Sequence, residues 1–311
     1  LRCTFPRTVS FARDGKTICW SPRDSSKELV PFQLPCGKCL QCRLDYARQW
    51  AVRCVHEASQ HEHNIFLTLT YDDAHLTSDK LVYEDFQNFM KKLRKVQNDP
   101  IAYFVTGEYG EKNKRPHWHA ILFNFAPKDG QVIGKTERGD EVRASATLSK
   151  IWSFGRAEFG SVTFESAGYC ARYAAKKLVH GKDQDHCFHP ISKKSSKHAI
   201  GKKFLEKHYT DIFNYGVLTL PDGQTCSIPR YYERWFKEHH PAEYFRYVTE
   251  VKPKKIEFAS RTAEKENLDW CQSERDRLRV GPRPMSLSPN QRRKKILQIK
   301  FERMLQNFLK L

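Results

Sequence analysis

Apolar and polar positions along this chain alternate between two periods. Over residues 40–60 (LQCRLDYARQWAVRCVHEAS), Leu40, Leu44, Ala47, Ala51 and Val55 recur at three- and four-residue spacing without Gly or Pro, which predicts a helix. Residues 64–71 (NIFLTLTY) switch to period two and predict a strand, with Phe66 and Thr68 on one face and Leu67 and Leu69 on the other. The helical period returns over 84–97 through Phe86, Phe89, Met90, Leu93 and Val96. Residues 101–107 and 116–125 then read as strands joined by a polar connection, 108–116. A Gly- and charge-rich loop or hairpin (127–143), a short helix (145–153), a strand (157–165) and a strong helix (167–180) follow.

This order of elements predicts an α+β fold, a central antiparallel β-sheet with flanking helices. Residues 1–35 carry five of the early Gly and Pro positions and predict a hairpin or irregular arm. Past 180 the periodicity weakens into a basic loop (183–203) and an aromatic-rich helical segment (228–248). Residues 288–311 open with the capping box Ser288-Pro289-Asn290-Gln291 and place Leu297, Phe301, Leu305 and Phe308 on one face of a basic helix. The expected division is an N-terminal arm and helix (1–60), a core (61–182), a basic and aromatic segment (183–250) and a basic tail (251–311).

Charge narrows the choice of partner. The 311 residues hold 54 Lys+Arg against 36 Asp+Glu, a net charge of +18. Residues 172–207 contribute +7 and 251–311 contribute +9, so the rest of the chain is nearly neutral. Such a surplus favours a polyanion, nucleic acid before an anionic membrane, since no apolar run long enough to span a bilayer and no juxtamembrane anchor is visible. An aromatic content of 13% argues against a wholly disordered basic chain. No apolar leader is evident, so the cysteines are expected to be reduced thiols.

Three groups of residues carry candidate chemistry. Cys36, Cys39 and Cys42 in PCGKCLQC have the spacing of thiolates converging on one soft metal, with structural zinc the expected ion and Cys3, Cys19, Cys54 or His56 as fourth ligand. Within the strand 116–125, His117 and His119 project from one face and Trp118 from the other. If the two strands flanking residues 108–116 pair, Glu108 comes beside His117 and completes a mixed oxygen–nitrogen site suited to Mg²⁺ or Mn²⁺. Tyr169 and Tyr173 lie one turn apart on the helix 167–180, and Lys177 follows Tyr173 by four.

In this order, FLTLTY, then a histidine–hydrophobic–histidine strand, then YCARYAAKK, the chain resembles the HUH endonucleases, which nick DNA to start rolling-circle replication. PCGKCLQC, GEYGEKNKRPHWHAILF and YCARYAAKKL resemble the replication initiators of gokushovirus-type microviruses, over about residues 35–180. The resemblance implies an RRM-like core, and a divalent ion on Glu108, His117 and His119. Tyr169 and Tyr173 would be alternating nucleophiles, Lys177 would steady the tyrosinate or phosphate, and Thr68, Thr70 and Tyr71 would border the site. It implies single-stranded DNA and a viral origin as substrate, a host helicase and DNA polymerase as partners, and the cytoplasm of a bacterial host as the place of action. No G-x-x-x-x-G-K-[ST] motif is present, so no ATP-driven helicase is expected. Two other readings fit parts of the pattern: a plasmid relaxase or transposase of the same superfamily, and a non-catalytic zinc-dependent nucleic-acid-binding protein. The +7 block is expected to clamp the nicked strand and the +9 tail to be a less specific anchor.

Overall fold

The computed structural model describes the chain except residues 1–2, 15–16, 21–30, 77, 98, 111–113, 137–138, 177–190, 198, 221–222, 224, 282–283 and 308–311, and gives only the backbone of 172–176 and 300–307. Residues 1–204 form one compact unit and residues 205–311 a second.

The first unit opens with a small antiparallel sheet. Its strands are β1 (Arg7–Phe11), β2 (Ile18–Cys19) and β3 (Phe32–Leu34), in the order β2-β1-β3. Helix α1 (Leu40–Ala58) follows, then β4 (Asn64–Thr70), α2 (Tyr83–Val96), β5 (Ala102–Tyr109) and β6 (Pro116–Phe123). The hairpin β7 (Gln131–Lys135) and β8 (Glu141–Ala144) fills the expected loop. Helix α3 (Ala146–Ile151), β9 (Ala157–Gly160), α4 (Phe164–Lys176) and β10 (Ile191–Lys194) complete the unit. Seven strands form one antiparallel sheet in the order β10-β5-β6-β4-β9-β8-β7.

Helices cover both faces of this sheet. Alternation sends Leu67, Leu69, Val105, Trp118, Ala120 and Leu122 to the face that packs against Phe86, Phe89, Met90 and Leu93 of α2 and Leu148 and Ile151 of α3. The other face sends Phe104, Ile121 and Phe123 against Ala47, Trp50, Ala51 and Cys54 of α1 and Ala167, Cys170 and Ala171 of α4. The small residues Ala167, Cys170 and Ala171 are fully buried, which lets α4 lie close upon α1 and the sheet.

Three local outcomes differ from the sequence pattern. The strand expected at 157–165 stops at Gly160, because Thr163 and Ser166 trade backbone N–H to side-chain oxygen bonds (2.8 and 3.1 Å) and start α4 early. Within the expected basic loop, Ile191–Lys194 is an edge strand on β5; Ile191 packs on the core, and Ser195 extends the pairing through Tyr103. Lys177 and the rest of the stretch to 190 lie outside the described residues. The aromatic segment 228–248 is not one helix: α6 and α7 meet at Pro241, which takes the first position of the second helix.

The second unit begins within α5 (Lys202–Tyr215) and continues with the short pair β11 (Leu218–Thr219) and β12 (Thr225–Cys226), α6 (Arg230–His239), α7 (Pro241–Arg246), a π-helical turn (Tyr247–Val251), α8 (Lys252–Val280) and α9 (Pro289–Asn307). Phe213 stacks on Phe236 at 3.8 Å, and Tyr232, Trp235 and Tyr247 are buried beside them. The capping box at α9 forms, with Ser288 N–H donating to Gln291 Oε1 (2.9 Å) and Gln291 N–H to Ser288 Oγ (3.3 Å). Leu297 is half-buried, while Phe301 and Leu305 lie in the backbone-only stretch and Phe308 outside the described residues. Among the described residues no helix is long and apolar enough to cross a membrane.

Gly107 shows how tightly the core is set beneath the candidate site. It pairs with Trp118, and a Cβ on it would stand 2.5 Å from Trp118 Cζ3. Trp118 is fully buried and donates Nε1–H to Tyr71 Oη (3.0 Å), so it has nowhere to move. Gly107→Ala should therefore cost about 1–3 kcal/mol by overpacking, read as a lower urea midpoint at unchanged slope. An unchanged midpoint would show that the indole has room to shift.

Candidate metal centre and tyrosine

The strand β5 runs on past residue 107, so Glu108 is part of the ladder. The register sets Glu108 opposite His117 and Thr106 opposite His119, all four on the sheet face that α4 covers. The result is a triad in which Glu108 Oε1 lies 3.3 Å from His117 Nε2 and 3.0 Å from His119 Nε2. Ligands held at about 2.1 Å and right angles around one ion stand about 3.0 Å apart, so this spacing fits one edge of an octahedral site.

Hydrogen bonds on the outer ring nitrogens orient both imidazoles. His117 Nδ1 lies 3.2 Å from the Arg115 carbonyl, which can only accept, so Nδ1 carries the proton and the Nε2 lone pair faces Glu108. His119 Nδ1 lies 3.0 Å from Thr68 Oγ1, a hydroxyl that can accept or donate. When Thr68 accepts, His119 also presents a lone pair inward, the arrangement that metal-binding histidines adopt. Two lone pairs and a carboxylate meeting at one point call for a positive charge between them. Thr106 Oγ1 beside His119 is buried and has no hydrogen-bond partner among the described residues, a further polar atom directed to this face. The donor set therefore fits a divalent cation.

Electrostatics agree with that reading. Burial would raise the Glu108 carboxyl, but hydrogen bonds to His117 and His119 outweigh it and hold the group well below the usual carboxylate range. Burial pushes His119 down, which favours its neutral, ligating form.

Tyr169 reaches this triad from α4. Its Oη donates to Glu108 Oε1 at 2.7 Å and lies 3.0 Å from His119 Nε2. Phe66 stacks beside His119 (5.6 Å) and meets Tyr169 edge-on (6.0 Å), fixing both rings. Tyr173 lies one turn further along α4, in the stretch where only the backbone is described, and Lys177 lies outside the described residues. Thr70 stands opposite His117 on β4. Tyr71 does not border the triad: its ring is in the core on the other face, bonded to Trp118 and Asp85, since it follows Thr70 on the alternating strand. The roles of Thr68 and of the Arg115 carbonyl emerge only from the cross-strand register.

A second donor set lies in the arm. Cys3, Cys36, Cys39 and Cys42 bring their sulfurs within 4.8 Å of one another, which selects Cys3 from the four candidates for the remaining ligand. Cys3 Sγ and Cys39 Sγ are 3.8 Å apart, and thiolates at about 2.3 Å in a tetrahedron stand about 3.8 Å apart. Burial acts to raise the Cys39 thiol, but backbone N–H groups, that of Thr4 first, bring it down to about 6. These four thiols could hold a metal.

Lys193 and Lys194 are not loose side chains of a basic loop. Lys193 lies over the Tyr83 ring (5.7 Å) and Lys194 over Trp50 (4.4 Å), where burial and the Arg53 charge lower its ammonium.

Comparison with known proteins places this geometry. A family model for replication-associated proteins of the ORF2 type matches residues 64–178, the span that carries the triad and the tyrosine helix. Replication-associated protein VP4 of Bdellovibrio phage phiMH2K is 47% identical over 277 residues, 86% of this chain and 88% of that protein. Replication-associated protein ORF2 of Spiroplasma virus 4 is 33% identical over 247 residues, 75% of this chain and 76% of that protein. Replication-associated protein ORF4 of Chlamydia phage 1 is 32% identical over 212 residues, 65% of this chain and 53% of that protein. No solved structure matches the chain. The likeness runs through most of both chains in the first two cases, and this chain belongs to the ORF2 family of phage replication-associated proteins.

Proposed function

We propose that this protein initiates replication of a small circular single-stranded phage genome by nicking the origin through tyrosine transesterification. The observation that carries this is Tyr169 Oη bonded into the Glu108–His117–His119 set. A divalent ion on that set, Mg²⁺ or Mn²⁺, would supply positive charge to the scissile phosphate and the incipient phenolate.

The chain's own residues do the rest. Glu108 receives the Tyr169 hydroxyl proton in a hydrogen bond and aims the oxygen; Phe66 and His119 hold the ring. As the Tyr169 oxygen bonds to phosphorus, the bond from phosphorus to the 3′ oxygen breaks, and that oxygen takes up a proton. The 5′ phosphate stays on the tyrosine, and the 3′ hydroxyl primes a host polymerase while a host helicase unwinds the duplex. Tyr173 acts on the regenerated origin, and the new 3′ hydroxyl attacks the first phosphotyrosine and closes a circle. Lys177 steadies the phosphate. Each transfer exchanges one phosphodiester for another, so joining needs no nucleotide cofactor. A purely nucleic-acid-binding zinc protein has no use for a tyrosine held against a carboxylate and two imidazoles.

The test is covalent. Incubation with single-stranded origin DNA and Mn²⁺ should yield a denaturation-resistant protein–DNA adduct that EDTA prevents. Folded protein that gives no adduct with its cognate origin would sink the nicking reading.

In the arm, Cys3, Cys36, Cys39 and Cys42 would hold one structural zinc. Elemental analysis should find about one zinc per chain, retained when His117 and His119 are both replaced. A zinc-free, folded protein would return the four thiols to an unmetallated cluster. The basic segment would grip the strand. Replacing Lys197, Lys202 and Lys203 with Gln should weaken DNA binding and flatten its salt dependence by about two units of slope. An unchanged slope would place these charges away from the DNA.

A further inference from the structure

The N-terminal arm carries an open aromatic surface that the nicking chemistry leaves unused. Trp20 is 61% exposed and Phe5 70% exposed, whereas Trp50, Trp118, Trp152 and Trp235 are buried. The register places Trp20 on a defined face. Ile18 pairs with Phe11, and alternation puts Trp20 with Ile18 and Phe11, on the side of Arg7 and Val9. The Arg7 guanidinium lies 5.6 Å over the Trp20 ring, as that shared face requires. Asp14, the nearby carboxylate, is turned onto Thr17, bonding both its backbone N–H and its hydroxyl. An exposed indole with a guanidinium beside it is the combination that takes a base by stacking and its phosphate by charge.

The arm is also at the right end of the fold. Helix α1 joins β4 through residues 59–63, and Asn64 bonds back to the Ala58 carbonyl, so α1 runs antiparallel to β4. Trp50 of α1 stacks on Phe104 of β5. From that contact β5 runs four residues to Glu108, about 13 Å, and α1 runs back eight residues to Cys42, about 12 Å. The four thiols, and the small sheet they pin, therefore lie toward the sheet end that holds Glu108 and His117.

We propose that the arm is a platform for single-stranded DNA next to the metal centre, with one base stacked on Trp20 and the adjoining phosphate on Arg7. This rests on the nicking function proposed above and adds to it a second contact with the same strand. Fluorescence anisotropy with labelled (dT)20, without added divalent metal, should show Trp20→Ala binding about tenfold more weakly, with most of the affinity restored in Trp20→Phe. Arg7→Gln should also weaken binding, and less so at high salt. In the wild type, saturating (dT)20 should shield from acrylamide the fraction of tryptophan emission that Trp20→Phe lacks; this holds the test open even where Trp20→Ala misfolds. Equal affinity of folded Trp20→Ala, or a Trp20 that stays open to acrylamide under saturating DNA, would overturn the platform. A wild type that forms the origin adduct while Trp20 stays open sinks this inference alone. One that shields Trp20 yet forms no adduct sinks the nicking reading alone.

Discussion

Replacing Tyr169 with Phe should slow the first covalent adduct by about a hundredfold, and the residual adduct should map to Tyr173. Tyr169 is the hydroxyl bonded directly to Glu108 and close to His119. Tyr173 is four residues further on the same helix, about 6 Å along its axis, so it cannot take the same position without movement of the helix or the DNA. Misplacing a nucleophile on that scale loses the alignment that makes an intramolecular-like attack fast. Tyr173→Phe should leave the first cut nearly intact and lose release of closed circles. Peptide mapping of the adduct in both single variants separates these outcomes, and the double variant should form no adduct at all. A first cut in Tyr169→Phe as fast as in the wild type would move the initiating role to Tyr173.

His119→Ala should abolish metal-dependent adduct formation while leaving DNA affinity within about twofold, because the imidazole faces Glu108 and Tyr169 and not the basic segments. Binding of Mn²⁺, followed by calorimetry, should weaken by about a hundredfold or more, since removing even an outer partner of a metal ligand costs about 10–100-fold. Thr68→Val is the graded companion. It removes the hydroxyl on His119 Nδ1 but keeps the ring, so metal affinity should fall by about tenfold and partly recover at higher Mn²⁺. Joint loss of folding and DNA binding in His119→Ala would assign the residue to structure instead. Unchanged Mn²⁺ affinity would remove it from the metal site.

Much of the centre was legible before folding. The period-two run through Phe66 and Thr68, and the His-Trp-His alternation, depend only on strand geometry, which sends every second side chain to the same face. That predicted both the shared face of His117 and His119 and the burial of Trp118. Placing Glu108 beside His117 needed only that two neighbouring strands pair. The Gly107-Glu108 step carried an extra signal: a glycine inside an apolar strand marks a close approach, here that of Trp118. The strand at 191–194 was less legible, because ISKK reads as a charged surface segment. It is a strand because it sits at a sheet edge, where only Ile191 needs an apolar partner and the two lysines rest on Tyr83 and Trp50.

The sequence alone determined the chemistry types and their order along the chain: three thiols at knuckle spacing, two imidazoles on one strand face, two tyrosines on one helical turn. These follow from local geometry, with its periods of two and 3.6 and the reach of a tight turn. Tertiary structure decided which distant groups meet. It brought Cys3 to Cys39, Thr68 to His119 and Tyr169 to Glu108, over 36, 51 and 61 residues of chain. No local rule selects such partners. They are chosen when the sheet registers lock and α4 buries Ala167, Cys170 and Ala171 against α1 and the sheet, a global packing solution that carries Tyr169 into the triad.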